Sequence, residues 1–153
     1  MALDGNTTGN NNTACGVAAL GSNSAGGFNT ATGANTLGNN STGDFNTASG
    51  ASALDKNTTG KSNTASGYTA LYKNTTGNYD TAYGQGAVYG NTTGSNNTGL
   101  GQNALKSNTT GKNNIAIGSN AGLNLTTGDN SIDIFDRGIP GEANTFSLAS
   151  VTT

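Results

Sequence analysis

Apolar and polar positions along this chain alternate over stretches of only a few residues, and the whole pattern returns every 17 residues. Gly9, Gly26, Gly43, Gly60, Gly77, Gly94, Gly111 and Gly128 mark that period without a slip. A second glycine column follows seven residues later at Gly16, Gly33, Gly50, Gly67, Gly84, Gly101 and Gly118. The unit reads approximately T-T-G-x-x-N-T-A-x-G-x-x-A-L-x-x-N. Seventeen residues are too few for two helices and a turn, and Gly, Asn and Thr are poor helix formers. The pattern therefore predicts short strands joined by Gly and Asn turns. Within Asn-Thr-Ala-x-Gly, the Asn, Ala and Gly positions alternate with Thr and a free position, which is the strand period. Ala14, Ala31, Ala48, Ala65, Ala82 and Ala116 are expected to face a narrow interior, with Gly99 the exception in that column. The free position, holding Cys15, Thr32, Ser49, Ser66, Tyr83, Leu100 and Ile117, is expected to face out.

The same alternation applied to the next pair makes a prediction about assembly. Ala19-Leu20, Thr36-Leu37, Ala53-Leu54, Ala70-Leu71, Ala87-Val88 and Ala104-Leu105 are neighbours, and strand neighbours point to opposite faces. With Ala inside, Leu20, Leu37, Leu54, Leu71, Val88 and Leu105 form an outward apolar stripe. Each is worth roughly 1.5–3 kcal/mol when buried, so the stripe is expected to be an oligomer interface. The alternative is an irregular strand in which Leu fills the interior of a monomeric rod.

Asparagine supplies two further columns. One holds Asn12, Asn29, Asn46, Asn63, Asn97 and Asn114, interrupted by Asp80; the other holds Asn6, Asn23, Asn40, Asn57, Asn74, Asn91 and Asn108. In coils stacked about 4.8 Å apart, each side-chain amide can donate to one copy and accept from the other. Such ladders stand in for a large apolar core. The fold class that follows is all-β, a parallel β-solenoid (β-roll) of 17-residue coils: residues 1–134 as seven to eight coils, and 135–153 as an irregular terminal coil or cap.

The segment Asn114-Ile115-Ala116-Ile117-Gly118-Ser119-Asn120-Ala121-Gly122 resembles the head repeats of YadA-like trimeric autotransporter adhesins. The Asn-Thr-Ala-x-Gly-x-x-Ala-Leu-x-x-Asn-Thr-Thr-Gly units also resemble repeats of bacterial and phage tail-fibre proteins. The likeness covers roughly residues 1–134. It implies a left-handed homotrimeric roll with an adhesive or spacer role at the cell surface or outside the cell. The period departs from the family, whose heads repeat at about 14 residues.

After Gly128 the chain becomes more apolar at Ile132, Ile134 and Phe135, breaks around Pro140, and offers a last strand within Asn144-Thr145-Phe146-Ser147-Leu148. Larger residues there suit a cap, since terminal repeats are usually atypical. The chain opens in mid-coil, and an open half-coil exposes strand edges that invite head-to-tail pairing into a filament.

Composition narrows the chemistry. Gly, Asn and Thr number 25 each, whereas hydrophobic residues make up only 31% and charged residues 9%, with a net charge of −2. A conventional core cannot be built from this, and six Lys and Arg form no stripe for nucleic acid. No run is long enough for membrane insertion, and residues 1–5 lack the features of a signal peptide. Without His the usual catalytic triads are missing, so no catalytic residue, cofactor or metal ligand is assigned. Asp129, Asp133 and Asp136 gather near the cap and could hold a hard cation, but a solvated turn is the preferred reading. Phe28, Phe45 and Tyr79 share one column and Tyr72 and Tyr89 another, where rings could stack on sugars. Surface glycans or matrix proteins are thus candidate ligands beside the chain itself. Asn-Thr-Thr sequons arise from the repeat and are no sign of glycosylation. The Thr13, Thr30, Thr47, Thr64, Thr81 and Thr98 column raises ice binding as a further alternative.

Overall fold

The computed structural model describes residues 1–149. Nine three-residue strands form one parallel sheet in chain order. They are β1 (Thr13–Cys15), β2 (Thr30–Thr32), β3 (Thr47–Ser49), β4 (Thr64–Ser66), β5 (Thr81–Tyr83), β6 (Thr98–Leu100), β7 (Ile115–Ile117), β8 (Ile132–Ile134) and β9 (Phe146–Leu148). The chain is an all-β solenoid, and there is no helix among the described residues. From β1 to β8 each residue pairs with the one 17 positions on, as in Ala31↔Ala48 and Ala48↔Ala65. The last step is shorter, since Ile132 pairs with Phe146. The apolar segment after Gly128 supplies β8, within the 1–134 repeat, and β9, inside the stretch where a last strand is expected.

The three-residue strands carry part of the stacking, and the turns carry the rest. Thr58 donates its backbone N–H to Thr75 O, and Leu54 donates to Ala70 O, so almost every segment of a coil bonds to its neighbour. This answers where a low-hydrophobicity backbone places its donors and acceptors. The middle residue of each strand from β2 to β8 is buried, while the flanking two are exposed or half-buried.

The Leu column is not on the outside. Leu20, Leu37, Leu54, Leu71, Val88 and Leu105 are all fully buried within their own chain, beside equally buried Ala19, Ala53, Ala70, Ala87 and Ala104. The expected interface along this column is therefore incorrect, because no surface remains for a partner to cover. The cause is backbone geometry. These residues have φ between 50° and 53°, the left-handed region, so strand alternation breaks and Ala and Leu both turn inward. A left-handed conformation costs roughly 1–2 kcal/mol for a residue with a Cβ. Burying the Leu side chain returns roughly 1.5–3 kcal/mol, so burial wins narrowly at each coil.

Asn23, Asn40, Asn57, Asn74, Asn91 and Asn108 form a continuous internal ladder. Each Nδ2 donates to Oδ1 of the Asn 17 residues earlier, at 2.7–3.3 Å, and also to a glycine carbonyl three residues on. Glycine is required beside it, because a Cβ on Gly60 would run into Asn57 Oδ1 and Gly77 O. The second Asn column works differently from the expected amide ladder. Asn29 Oδ1 accepts the backbone N–H of Asn46, and its Nδ2 donates to Gly43 O. The first column thus runs side chain to side chain throughout, whereas the second bonds mainly to backbone, with Asn46 Nδ2 to Asn29 Oδ1 at 3.2 Å a side-chain link within it.

Candidate functional site

Among the described residues no group of three or more Cys, Asp or Glu side chains gathers as a metal-binding set. The surface features that remain are two aromatic rows and the outer face of the sheet.

Phe28 and Phe45 stack with ring centroids 5.0 Å apart and 9° between planes. Both sit at positive φ just before a strand, so the one-coil translation lays one ring over the other. Ser62 occupies the next position of the column, which separates exposed Tyr79 from that pair. Tyr72 and Tyr89 stack at 5.3 Å and 8°, and a lysine from the neighbouring column reaches each ring: Lys56 Nζ lies 5.6 Å from Tyr72 and Lys73 Nζ 5.4 Å from Tyr89. Tyr89 also lines a groove with Tyr68, Thr69, Gln85, Asn103 and Lys106. The two rows predicted as surface-binding candidates thus lie in separate columns, each reduced to one stacked pair.

The outer face of the sheet carries a signal that column-by-column reading of Leu missed. In β1 to β4 the outward residues are Thr13, Cys15, Thr30, Thr32, Thr47, Ser49, Thr64 and Ser66. From β5 onward they become Tyr83, Leu100, Ile115, Ile117, Ile132, Ile134, Phe146 and Leu148, with only Thr81 and Thr98 continuing the Thr column. Tyr83, Phe146 and Leu148 are each at least 60% exposed, and Leu100, Ile115 and Ile117 are open to solvent as well. Contiguous apolar surface of this kind marks contact sites on soluble proteins. The exchange of Thr for Ile at position 115 was the readable clue.

Two buried acids break the interior columns. Asp80 takes the place of Asn in the second column; its Oδ1 accepts the Asn97 N–H at 2.8 Å and its Oδ2 accepts from Asn91 Nδ2 at 3.0 Å. Burial pushes its carboxyl up to about 7, against the opposing hydrogen bonds from Asn97. Asp133 takes the place of Ala at the centre of β8 and is fully buried, which corrects its expected place in a solvated turn. Burial, then the charges of Glu142 and Asp136, push its carboxyl up to about 6.

Exposed Cys15 is a free thiol. The sequon residues Asn57 and Asn74 are buried with Nδ2 committed to two acceptors, so the folded repeat does not offer that nitrogen for modification. Comparison with models of protein families, with curated proteins and with solved structures found no match.

Proposed function

We propose that this chain is a non-catalytic structural rod of an extracellular fibre or adhesin head, which associates with copies of itself and presents a repetitive surface for attachment. The observation that supports it best is the apolar half of the outer sheet face, Tyr83 through Leu148, on strands β5 to β9. No acid or base interrupts the outward positions of those strands. A copy of the same chain offers a surface of matching spacing and polarity, so self-association would cover both at once. The resemblance of the repeats to trimeric adhesin heads agrees with three copies, with the contact moved from the Leu column to the sheet face.

The test is mass and shape in solution, by light scattering with negative-stain microscopy on one purified sample. Discrete particles of three chains, dissociated by Leu100→Lys with Ile117→Lys but not by Thr30→Lys with Thr47→Lys, are the expected result. A monomer at every concentration would overturn the self-association reading.

A second reading follows from the stacked Thr13, Thr30, Thr47 and Thr64, which are exposed on one face in register. An ice-binding face of this kind would show thermal hysteresis that Thr47→Lys abolishes. Long fibres joined end to end would instead make head-to-tail assembly the function.

A further inference from the structure

Four interior columns change together in the last full coil. Gly122 replaces Leu, Leu125 replaces the ladder Asn, Ser131 replaces the second Asn, and Asp133 replaces Ala. The ladder ends there, leaving Asn108 Oδ1 buried without a partner. More consequential is the carboxylate. Neither oxygen of the fully buried Asp133 has a well-formed hydrogen bond, with only the Ser147 side chain beside it on β9 offering a partial one, and Glu142 Oε1 and Thr145 Oγ1 are buried and unpartnered in the same terminal segment.

Asp133 Oδ2 and Glu142 Oε1 both border Gly138. The point where a Cβ would stand on Gly138 lies 3.4 Å from Asp133 Oδ2 and 3.1 Å from Glu142 Oε1. The corresponding point on Gly122 lies 3.3 Å from the same Asp133 oxygen. Two glycines at positive φ, Gly122 at 60° and Gly138 at 68°, thus bracket two acids. No positive side chain answers them: among the described residues the ion pairs are Lys56 with Asp55 and Lys61 with Asp44, both in earlier coils. An unpaired buried carboxylate costs several kcal/mol even after relaxation, and a second one beside it adds repulsion.

We infer that Asp133 and Glu142 hold a hard divalent cation of the calcium class, which locks the terminal coil onto the rod. Two carboxylates match the charge of a divalent ion. The donors are all oxygen, which selects calcium, magnesium or manganese over zinc or copper. Calcium takes six to eight oxygens, so carbonyls of the cap and water complete the shell around two acidic ligands. A protonated Asp133 without any metal is the competing account.

Calorimetric titration of calcium chloride into the chelator-treated full chain, with thermal melts in calcium and in EDTA, decides between them. One saturable site per chain and a higher melting temperature in calcium are expected. Glu142→Gln should lose both. Asp133→Ala returns the residue that other coils carry at this position, so it should fold in EDTA with an unchanged far-UV spectrum and melt indifferently to calcium. No heat and no shift with calcium, magnesium or manganese would overturn the inference, as would undiminished binding in Asp133→Ala.

Discussion

The inner and outer sides of the same coils obey different rules. Inside, Ala, Leu and Asn recur at fixed positions from β1 to β7 and are almost uniformly buried. Outside, the equivalent strand positions drift from Thr and Ser to Tyr, Leu and Ile without disturbing the register. The interior is narrow, so each coil must repeat the shape of the last; the exterior is constrained only by solvent or a partner. The repeating interior thus carries the fold, and the outward positions are free to vary from coil to coil. That division is open to attack from both sides.

The largest effect should come from a charge placed inside. Leu71→Asp removes a buried side chain worth roughly 1.5–3 kcal/mol and leaves an unpaired carboxylate costing several more. Against a total stability of about 5–15 kcal/mol for a typical domain, that unfolds the coils around it. Circular dichroism should show loss of the β signal, or melting lowered by tens of degrees on the order expected for such a loss. Leu71→Ala should cost about 2–5 kcal/mol. A folded, merely dissociated Leu71→Asp chain would restore the column to the outside.

A polar deletion inside comes next. Asn57→Ala takes the donor from Asn40 Oδ1 and the acceptor from Asn74 Nδ2. Each buried group so orphaned costs about 1–3 kcal/mol. Urea unfolding should show that loss, whereas Thr47→Ala on the outer side of β3 should stay within about 0.5 kcal/mol. Equal effects at the two sites would mean that the ladder contributes nothing beyond its neighbours.

Much of this organisation was legible in the sequence, because a 17-residue period with Ala, Asn and Gly recurring at fixed positions leaves few alternatives to stacked strands. The strands, their register and the inward Ala column follow from it directly. The Leu column was legible only as the alternative of an irregular strand with Leu inside, because alternation presumes extended backbone and nothing in the letters Ala-Leu announces φ near 50°. The sheet face was half legible: the free column was read as outward, but its Thr partner column turns to Ile115, Ile132 and Phe146, and that turn went unread. Asp133 was visible as an acid near the cap; its burial depended on β8 continuing the stack.

Asp80 sharpens the comparison through pH. Its neighbours in contact are the neutral amides of Asn63, Asn91 and Asn97. In the repeat an amide at this position donates to a glycine carbonyl, as Asn63 does to Gly77 and Asn97 to Gly111. A proton on Asp80 supplies the missing donor. The folded-state value of about 7 is raised above the ordinary 3.8, so the folded chain binds the proton more tightly than the unfolded one. Its contribution is fully present below 3.8 and is lost as pH rises through about 7. Asp80→Asn should therefore raise the melting temperature at pH 8 and approach the parent at pH 4. Other acids cancel in that difference, because distant sites add. A gap between the two proteins that is flat with pH would place a charge, rather than a proton, on Asp80 throughout.

The smallest effect is expected where the side chain is largest but lies outside. Phe45 is 58% exposed and its main contact of note is the parallel face of Phe28. Aromatic pairs contribute about 0.5–1.5 kcal/mol beyond the area they bury. Phe45→Ala should therefore cost about 1–2 kcal/mol in urea unfolding, the stacking term plus a part of the area term, less than Leu71→Ala, although Phe is the bulkier residue. Side-chain size alone would predict the opposite order, so the pair of variants separates burial from bulk as the determinant of stability. A sugar platform at this row would appear as carbohydrate binding to the parent chain that Phe45→Ala loses with its melting nearly unchanged; binding kept by the variant would leave the stacked pair as surface packing and place attachment on the apolar sheet face.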